Sequence, residues 1–226
     1  MNNSSLERSR KLRTAGIYAF FIIGCVIMIF PFVWMFLTSF KTVEESMMIP
    51  PDILPESWQL DNFKDAMASL PFLALYKNTA LMVFWRVVCA VLFSSMAGYA
   101  FAKLKFKGKN LLFSLVLVQM MLPSQIFITP QYQMLARLGL TNTVFALVFP
   151  GIVSAFGTFF LRQAYMGIPD EIAEAAYLDG CNQWQTFVKV MAPLTKASMA
   201  ALAVFTAVFA YGDLMWPLIV NTDLNI

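Results

Sequence analysis

Long apolar runs separated by short polar segments set the plan of this chain. Residues 15–38 are almost wholly apolar, and similar runs recur at 78–102, 111–129, 144–161 and 197–220. Runs of this length predict helices that cross a bilayer, since about 20 apolar residues in helical form span its hydrocarbon core. The segment 39–77 between the first two runs is mixed and holds Pro50, Pro51, Pro55 and Pro71. It predicts a segment outside the membrane with short helical pieces, such as 60–69. The third run carries Pro123 beside Gln119, Ser124 and Gln125. A proline there removes a backbone hydrogen bond and kinks the helix. The polar groups need interhelical partners or a water-lined path, and the pattern leaves both open. Gly151, Ser154, Ala155 and Gly157 in the fourth run predict a close-packing face. The expected fold is an all-α, polytopic membrane helix bundle with five spans.

The polar interlude 162–196 departs most from this plan. Pro169 suits a first helical turn. Asp170, Glu171 and Glu174 follow it, where negative charge favours a helix N-terminus. Ile172, Ala175, Ala176 and Leu178 fall roughly on one face. Gly180 predicts a left-handed stop. Asn182 followed by Gln185 predicts a capping box for a second helix, which Pro193 ends or kinks. The residue types alone describe a solvated helix–turn–helix between two spans.

Composition sharpens the picture. The chain has 226 residues, 59% of them hydrophobic and 13% charged, with a mean hydropathy of +0.68. A soluble domain does not carry that much apolar surface. The net charge of +3 gives no case for nucleic acid, and there is no histidine, which removes His-based catalysis and most transition-metal sites. Cys25, Cys89 and Cys181 have no metal or pairing spacing. Paired catalytic carboxylates and a nucleophile with its base are also missing, so no catalytic or metal residues are assigned.

Arg8, Arg10, Lys11 and Arg13 precede the first run, and Lys103, Lys105, Lys107 and Lys109 follow the second. With Arg162, Lys189 and Lys196 they predict a cytoplasmic N-terminus (1–14), a first span (15–38), an external segment (39–77) and a core membrane domain (78–226). Lys41, Lys64, Lys77 and Arg137 fall outside. Arg86 lies within the second run, where it either snorkels outward or pairs with a carboxylate on a neighbouring helix. Asp213 is an acid within or near the membrane in the fifth run, and Trp216 reads as an interface anchor or a stacking surface.

The order of residues in the polar interlude, Glu174, Ala175, Ala176, then Asp179, Gly180, then Met191, Ala192, Pro193, Leu194, resembles the EAA motif of the membrane subunits of binding-protein-dependent ABC importers. Other stretches resemble the carbohydrate-importer branch of that family, and most closely its second membrane subunit in maltose-type importers. They are Pro31 to Trp34 with Thr38 to Lys41, Asn78 with Thr79, Tyr99 to Lys103 with Phe106 to Gly108, and Leu122 with Pro123 and Pro130. Leu138 to Thr143, Phe160 to Gln163 and Trp216 to Leu218 complete the set. In that branch a Trp-Asn pair often stands where Tyr211 and Gly212 stand here.

The resemblance implies a type I ABC importer-like bundle of six spans, the C-terminal one being absent from this sequence. It implies a multi-pass subunit of the bacterial cytoplasmic (inner) membrane. Its partners would be two copies of an ABC ATPase, a second homologous permease, an extracytoplasmic binding protein and the bilayer, with no nucleic acid. No cofactor is expected in the chain itself; ATP and magnesium belong to the ATPase, because no G-x-x-x-x-G-K-[ST] loop occurs here. Glu174, Ala175, Ala176, Asp179, Gly180 and Pro193 would couple to that ATPase. Gln119, Pro123, Ser124, Tyr211, Asp213 and Trp216 are candidates for the solute path. The expected function is a non-enzymatic carbohydrate permease. A permease for a sugar phosphate or other solute is the alternative, and an ion-coupled transporter resting on Arg86 and Asp213 is a more distant one.

Overall fold

The computed structural model describes residues 3–223, with side chains from residue 10 onward, so Arg8 and the end of the chain at Ile226 lie outside the described side chains. The described residues form helices and no strand. They divide into two compact units, Met1–Leu70 and Pro71–Ile226.

The first unit is dominated by α1, Asn3–Thr38. The most apolar window of its segment Arg10–Thr38 has a mean hydropathy of 2.6, and none of that window is buried. After it the chain folds on itself through α2, Val43–Met47, and α3, Asp61–Ser69. Thr42 and Glu45 form a capping box at α2. The Phe40 ring packs on Phe36, Trp58 and Phe63, and Asn62 donates to the carbonyls of Ser39 and Lys41. Lys41 is buried, with its ammonium on the Asp52 carbonyl and 5.0 Å from the Trp34 ring centre. The charge is thereby satisfied by a dipole and a π face.

The second unit is built round α4, Phe72–Lys103, a 32-residue helix that begins before, and runs slightly past, the apolar run at 78–102. It is followed by α5, Lys109–Met121, and by α6, Ile128–Arg137, joined through a 3-10 turn at Ser124–Phe127. The two helical arms meet at 104°. The expected third span, 111–129, is therefore interrupted at Leu122 and Pro123, because Pro123 has no N–H to carry the helix on. Further on come α7, Val144–Val148, and α8, Ala155–Met166. They are bent by 48°, with Ser154 capping α8 through the Gly157 N–H.

The polar interlude holds α9, Asp170–Leu178, α10, Gln183–Thr186, a π turn at Phe187–Met191 and α11, Ala192–Leu194. A 75° bend leads into α12, Lys196–Tyr211, and a break at Gly212 to Leu214 separates it from α13, Met215–Val220. Among the described residues, two helices meet the length and apolarity for a membrane crossing, or up to five if each bent pair counts as one span.

Small residues bring α4 against α8 and α12. A Cβ on Gly98 would stand 2.8 Å from the Arg162 backbone nitrogen, and one on Gly157 would stand 2.4 Å from Ser94 Oγ. Backbones this close gain dispersion that lipid tails cannot match, which is how helices associate where the hydrophobic effect is weak. Ser95 Oγ and the Tyr165 hydroxyl are 2.7 Å apart across the same seam.

Candidate functional site

At one end of the second unit, α9 is fixed to the bundle by its small residues. Ala173 and Ala176 are buried, and the core beneath is made by Tyr99, Tyr165, Phe187 and Met191. Ile172, Ala175 and Leu178 are exposed, with Leu178 at 90%. The face expected from spacing is thus turned by about one residue: Ala173 and Ala176 point in, and Ala175 points out. Ala173 joins the buried cluster of Tyr165 and Phe187.

Two polar links hold α9 to α4. Lys103 Nζ bonds the Asp170 carboxylate and, at 2.6 Å, the Ile168 carbonyl. The Tyr99 and Tyr177 hydroxyls are 3.5 Å apart. The Asp170 carboxyl is held below the ordinary carboxylate range, first by the hydrogen bond from Lys103 and then by the charge of that ammonium. Lys109 donates to the Leu104 carbonyl at 2.9 Å, and Arg162 lies 4.0 Å over the Phe113 ring. Cations therefore tie the turn after α4 together.

Gly180 ends α9 with φ +84°. Its N–H bonds the Tyr177 carbonyl and the Cys181 N–H bonds the Ala176 carbonyl, both at 3.0 Å. This is a Schellman closure, which requires a left-handed residue at that position. Asn182 and Gln185 form the expected capping box. Glu174, Ala175, Asp179, Gly180 and Pro193 are all exposed, while Ala176 is the one residue of the coupling set that faces inward. The π turn 187–191 carries Phe187 and Met191 into the core. No spacing signal in the sequence marks it.

A second constellation lies within the bundle. Arg86 is 6% exposed. Its Nε donates to the Leu147 carbonyl and its Nη1 to Asp213 Oδ2, both at 2.8 Å. Arg86 thus takes the pairing option. The energetic reason is that a lone charge at this depth costs several kcal/mol, about 2.5–3.5 on insertion scales. Asp213 sits in the break between α12 and α13, with its side chain 26% exposed. The pair borders a cleft of about 930 Å³ that also touches Ser124, Ser154, Thr206 and the rings of Phe156, Phe205 and Phe209.

A smaller cleft of about 260 Å³ brings together Gln119, Ser124, Asp213 and Trp216. Trp216 is 4% exposed, and its indole N–H donates to the Ala146 carbonyl at 2.8 Å. Its ring packs with Met82, Leu135 and Leu147, so it is a core residue instead of an open stacking face. Tyr211 is exposed and shares a third hollow with Asp213 and Asn78, and borders another with Phe84. Pro123 makes the bend and borders none of the three clefts round Asp213. The aromatic wall and Thr206 were not singled out from sequence, because aromatic and small residues in an apolar run carry no mark of which side they face. The pairing was the legible part: Arg86 and Asp213 are isolated opposite charges in separate apolar runs.

An all-α membrane bundle with an exposed acidic helix at one end and a polar-lined cleft within defines a polytopic membrane transport subunit. The model of the family described as binding-protein-dependent transport system inner membrane component matches residues 90–225, and the chain belongs to that family. It is 36% identical to the arabinooligosaccharides transport system permease protein AraQ of Halalkalibacterium halodurans over 197 residues, 86% of this chain and 71% of that protein. It is 30% identical to the sn-glycerol-3-phosphate transport system permease protein UgpE of Salmonella typhi, over 98% of this chain and 80% of that one. The diacetylchitobiose uptake system permease protein NgcG of Streptomyces coelicolor is 29% identical over 91% of this chain and 68% of its own length. The same fold occurs in a bacterial ABC transporter involved in the import of the acidic polysaccharide alginate. The TM-score there is 0.79 at 20% identity, covering 96% of this chain and 77% of that one.

Proposed function

We propose that this chain is the permease subunit of an ATP-driven importer that moves a carbohydrate handed over by an extracytoplasmic binding protein. The observation that carries the reading is α9. It is a short helix clamped to the bundle by Lys103 and Tyr99, with Glu174, Ala175, Leu178 and Asp179 left exposed. An exposed leucine beside carboxylates suits a protein cleft that is partly apolar and partly basic.

In this reading two ATPase copies, which hold ATP and magnesium, take the helix from the cytoplasm. Ala175 lets it approach closely, Glu174 and Asp179 accept charge-assisted hydrogen bonds, and Gly180 gives the sharp exit. Ala176 seats the helix on its own chain, and Pro193 shapes the return into the bundle. Closure of the ATPases moves α9 as a lever, and the bundle rocks between inward-open and outward-open states with a second permease subunit. The membrane-crossing segments fall within 15–38, 78–102, 111–129 with its bend at Pro123, 144–161 with its bend before Ala155, and 197–220 with its break at Gly212 to Leu214, with the N-terminus and 162–196 cytoplasmic in the bacterial inner membrane. The catalysis of ATP hydrolysis lies wholly in the partner.

Carbohydrate is favoured because AraQ and NgcG, named for oligosaccharide uptake, cover most of the chain. A sugar-phosphate solute is the second reading, favoured by UgpE at 98% coverage. The test is purification of the complex in mild detergent from its own host, beside the variant Gly180→Arg. Co-purification of an ATP-binding subunit and a second permease, with the ATPase lost from the variant, is the expected result. A chain that comes out alone and carries solute without ATP overturns the reading.

A further inference from the structure

The larger cleft bears on which solute class passes. Its two charged residues cancel, so the site has no net charge to attract an anion. The pair is also asymmetric: the Arg86 side chain is 7% exposed and that of Asp213 is 26% exposed. Arg86 is held from behind by the Leu147 carbonyl. Gly151 lies flat against its stem, where a Cβ would stand 2.7 Å from Cγ. A guanidinium so confined cannot swing forward. A solute therefore meets the carboxylate first.

Asp213 Oδ2 is taken by Arg86, while Oδ1 accepts only a long 3.4 Å bond from the Trp216 N–H. Oδ1 is thus an acceptor with spare capacity, and an ionised carboxylate donates nothing. Hydroxyl groups can satisfy it, whereas phosphate or carboxylate groups are repelled. Ser124 and Thr206 add hydroxyls that both donate and accept. The apolar part of the lining includes the phenyl rings of Phe156, Phe205 and Phe209. A sugar ring has the matching two-sided character, with a polar hydroxyl rim and an apolar C–H face. The cleft volume of about 930 Å³ fits the size range of small-molecule sites.

We infer that this cleft is a solute site for a neutral saccharide, with Asp213 accepting hydrogen bonds from its hydroxyls and Arg86 positioning Asp213. The inference rests on the reading of the chain as an importer permease, and it decides between the two solute classes left open there. The test uses the complete complex, purified from its host and reconstituted with its binding protein in proteoliposomes. The probes are a labelled arabino-oligosaccharide, labelled diacetylchitobiose and labelled sn-glycerol 3-phosphate.

The expected result is ATP-dependent uptake of a neutral probe and not of the phosphate. Asp213→Asn raises the KM for the neutral probe about tenfold or more, the usual scale for a hydrogen bond to a charged group. It also relieves the discrimination against sn-glycerol 3-phosphate, a change in preference that loss of packing alone does not produce. Phe209→Ala, at a residue 74% exposed, raises the same KM with assembly kept, and it stands in if Asp213→Asn fails to assemble. An unchanged KM and preference in assembled Asp213→Asn, or an unchanged KM in Phe209→Ala, overturns the site. Wild-type uptake of sn-glycerol 3-phosphate alone also overturns the site but leaves the importer reading intact. A wild-type complex without an ATP-binding subunit overturns the importer reading itself, and this inference with it.

Discussion

Single residues hold this fold by what they lack. Gly98 lets α4 lie on the backbone of α8, and the atoms an added methyl would meet are the Arg162 nitrogen at 2.8 Å and the Leu161 carbonyl carbon at 3.0 Å. Neither is a side chain that can turn away. Gly98→Ala is therefore expected to destabilise the bundle by about 1–3 kcal/mol, seen as a lower thermal midpoint in detergent. Gly24→Ala, with nothing within 4 Å of the added carbon, is expected to leave the midpoint unchanged or slightly raised, because alanine is the better helix former. Equal effects at the two positions would contradict the close-packing account. Gly180 is a different case. Its surroundings are open and only its φ of +84° is demanding, so Gly180→Ala is expected to cost about 1 kcal/mol locally while Gly180→Arg adds bulk on the exposed face.

At the scale of the element, α9 is a platform whose inner face is set by two alanines and whose outer face is free. Leu178 is the knob on that face. Burying a leucine is worth about 1.5–3 kcal/mol, so Leu178→Asp is expected to weaken ATPase co-purification by roughly 10-fold or more without lowering the thermal midpoint of the permease. Retention of the ATPase at wild-type level would place the contact elsewhere. The clamp on α9 is pH dependent. The folded carboxyl of Asp170 titrates below its ordinary value, so its link to Lys103 is fully present above the ordinary carboxylate range and is lost as pH falls through the lowered value. Protection of the α9 amides, taken relative to their intrinsic exchange rate, should therefore fall on acidification below the ordinary carboxylate range, and Asp170→Asn should show the lowered protection already at neutral pH. Exchange in the variant that matches the wild type would show that Tyr99 and the buried alanines hold the helix without the ion pair.

For the whole molecule, the apolar surface of α1 and the charge on the polar turns make one prediction about orientation. With the N-terminus and the lysine-rich turn in the cytoplasm, a cysteine placed by Lys107→Cys should react with an impermeant maleimide only in inverted vesicles. A cysteine placed by Glu56→Cys should react only in right-side-out vesicles. The reverse pattern would invert the topology and remove α9 from any cytoplasmic ATPase. Both positions are exposed.

What the sequence determined by itself is local or compositional. Apolar runs fix that the chain is a membrane helix bundle, because burying backbone polar groups in lipid leaves only intra-helical bonding. Gly180, Asn182 and Gln185 fix their own turn and cap, since those bonds join residues a few positions apart. The isolated charges Arg86 and Asp213 could be read as partners because neither is stable alone. The tertiary structure alone decided the rest. It bent the third apolar run by 104° at Pro123, turned Ala176 inward and Leu178 outward, packed Trp216 into the core and set the Phe156, Phe205 and Phe209 rings in one cleft with Asp213. In a sequence this apolar, hydropathy cannot say which face of a helix meets lipid, a neighbouring helix or a cleft. That choice is made by close packing among residues more than 100 positions apart, such as Arg86 and Asp213.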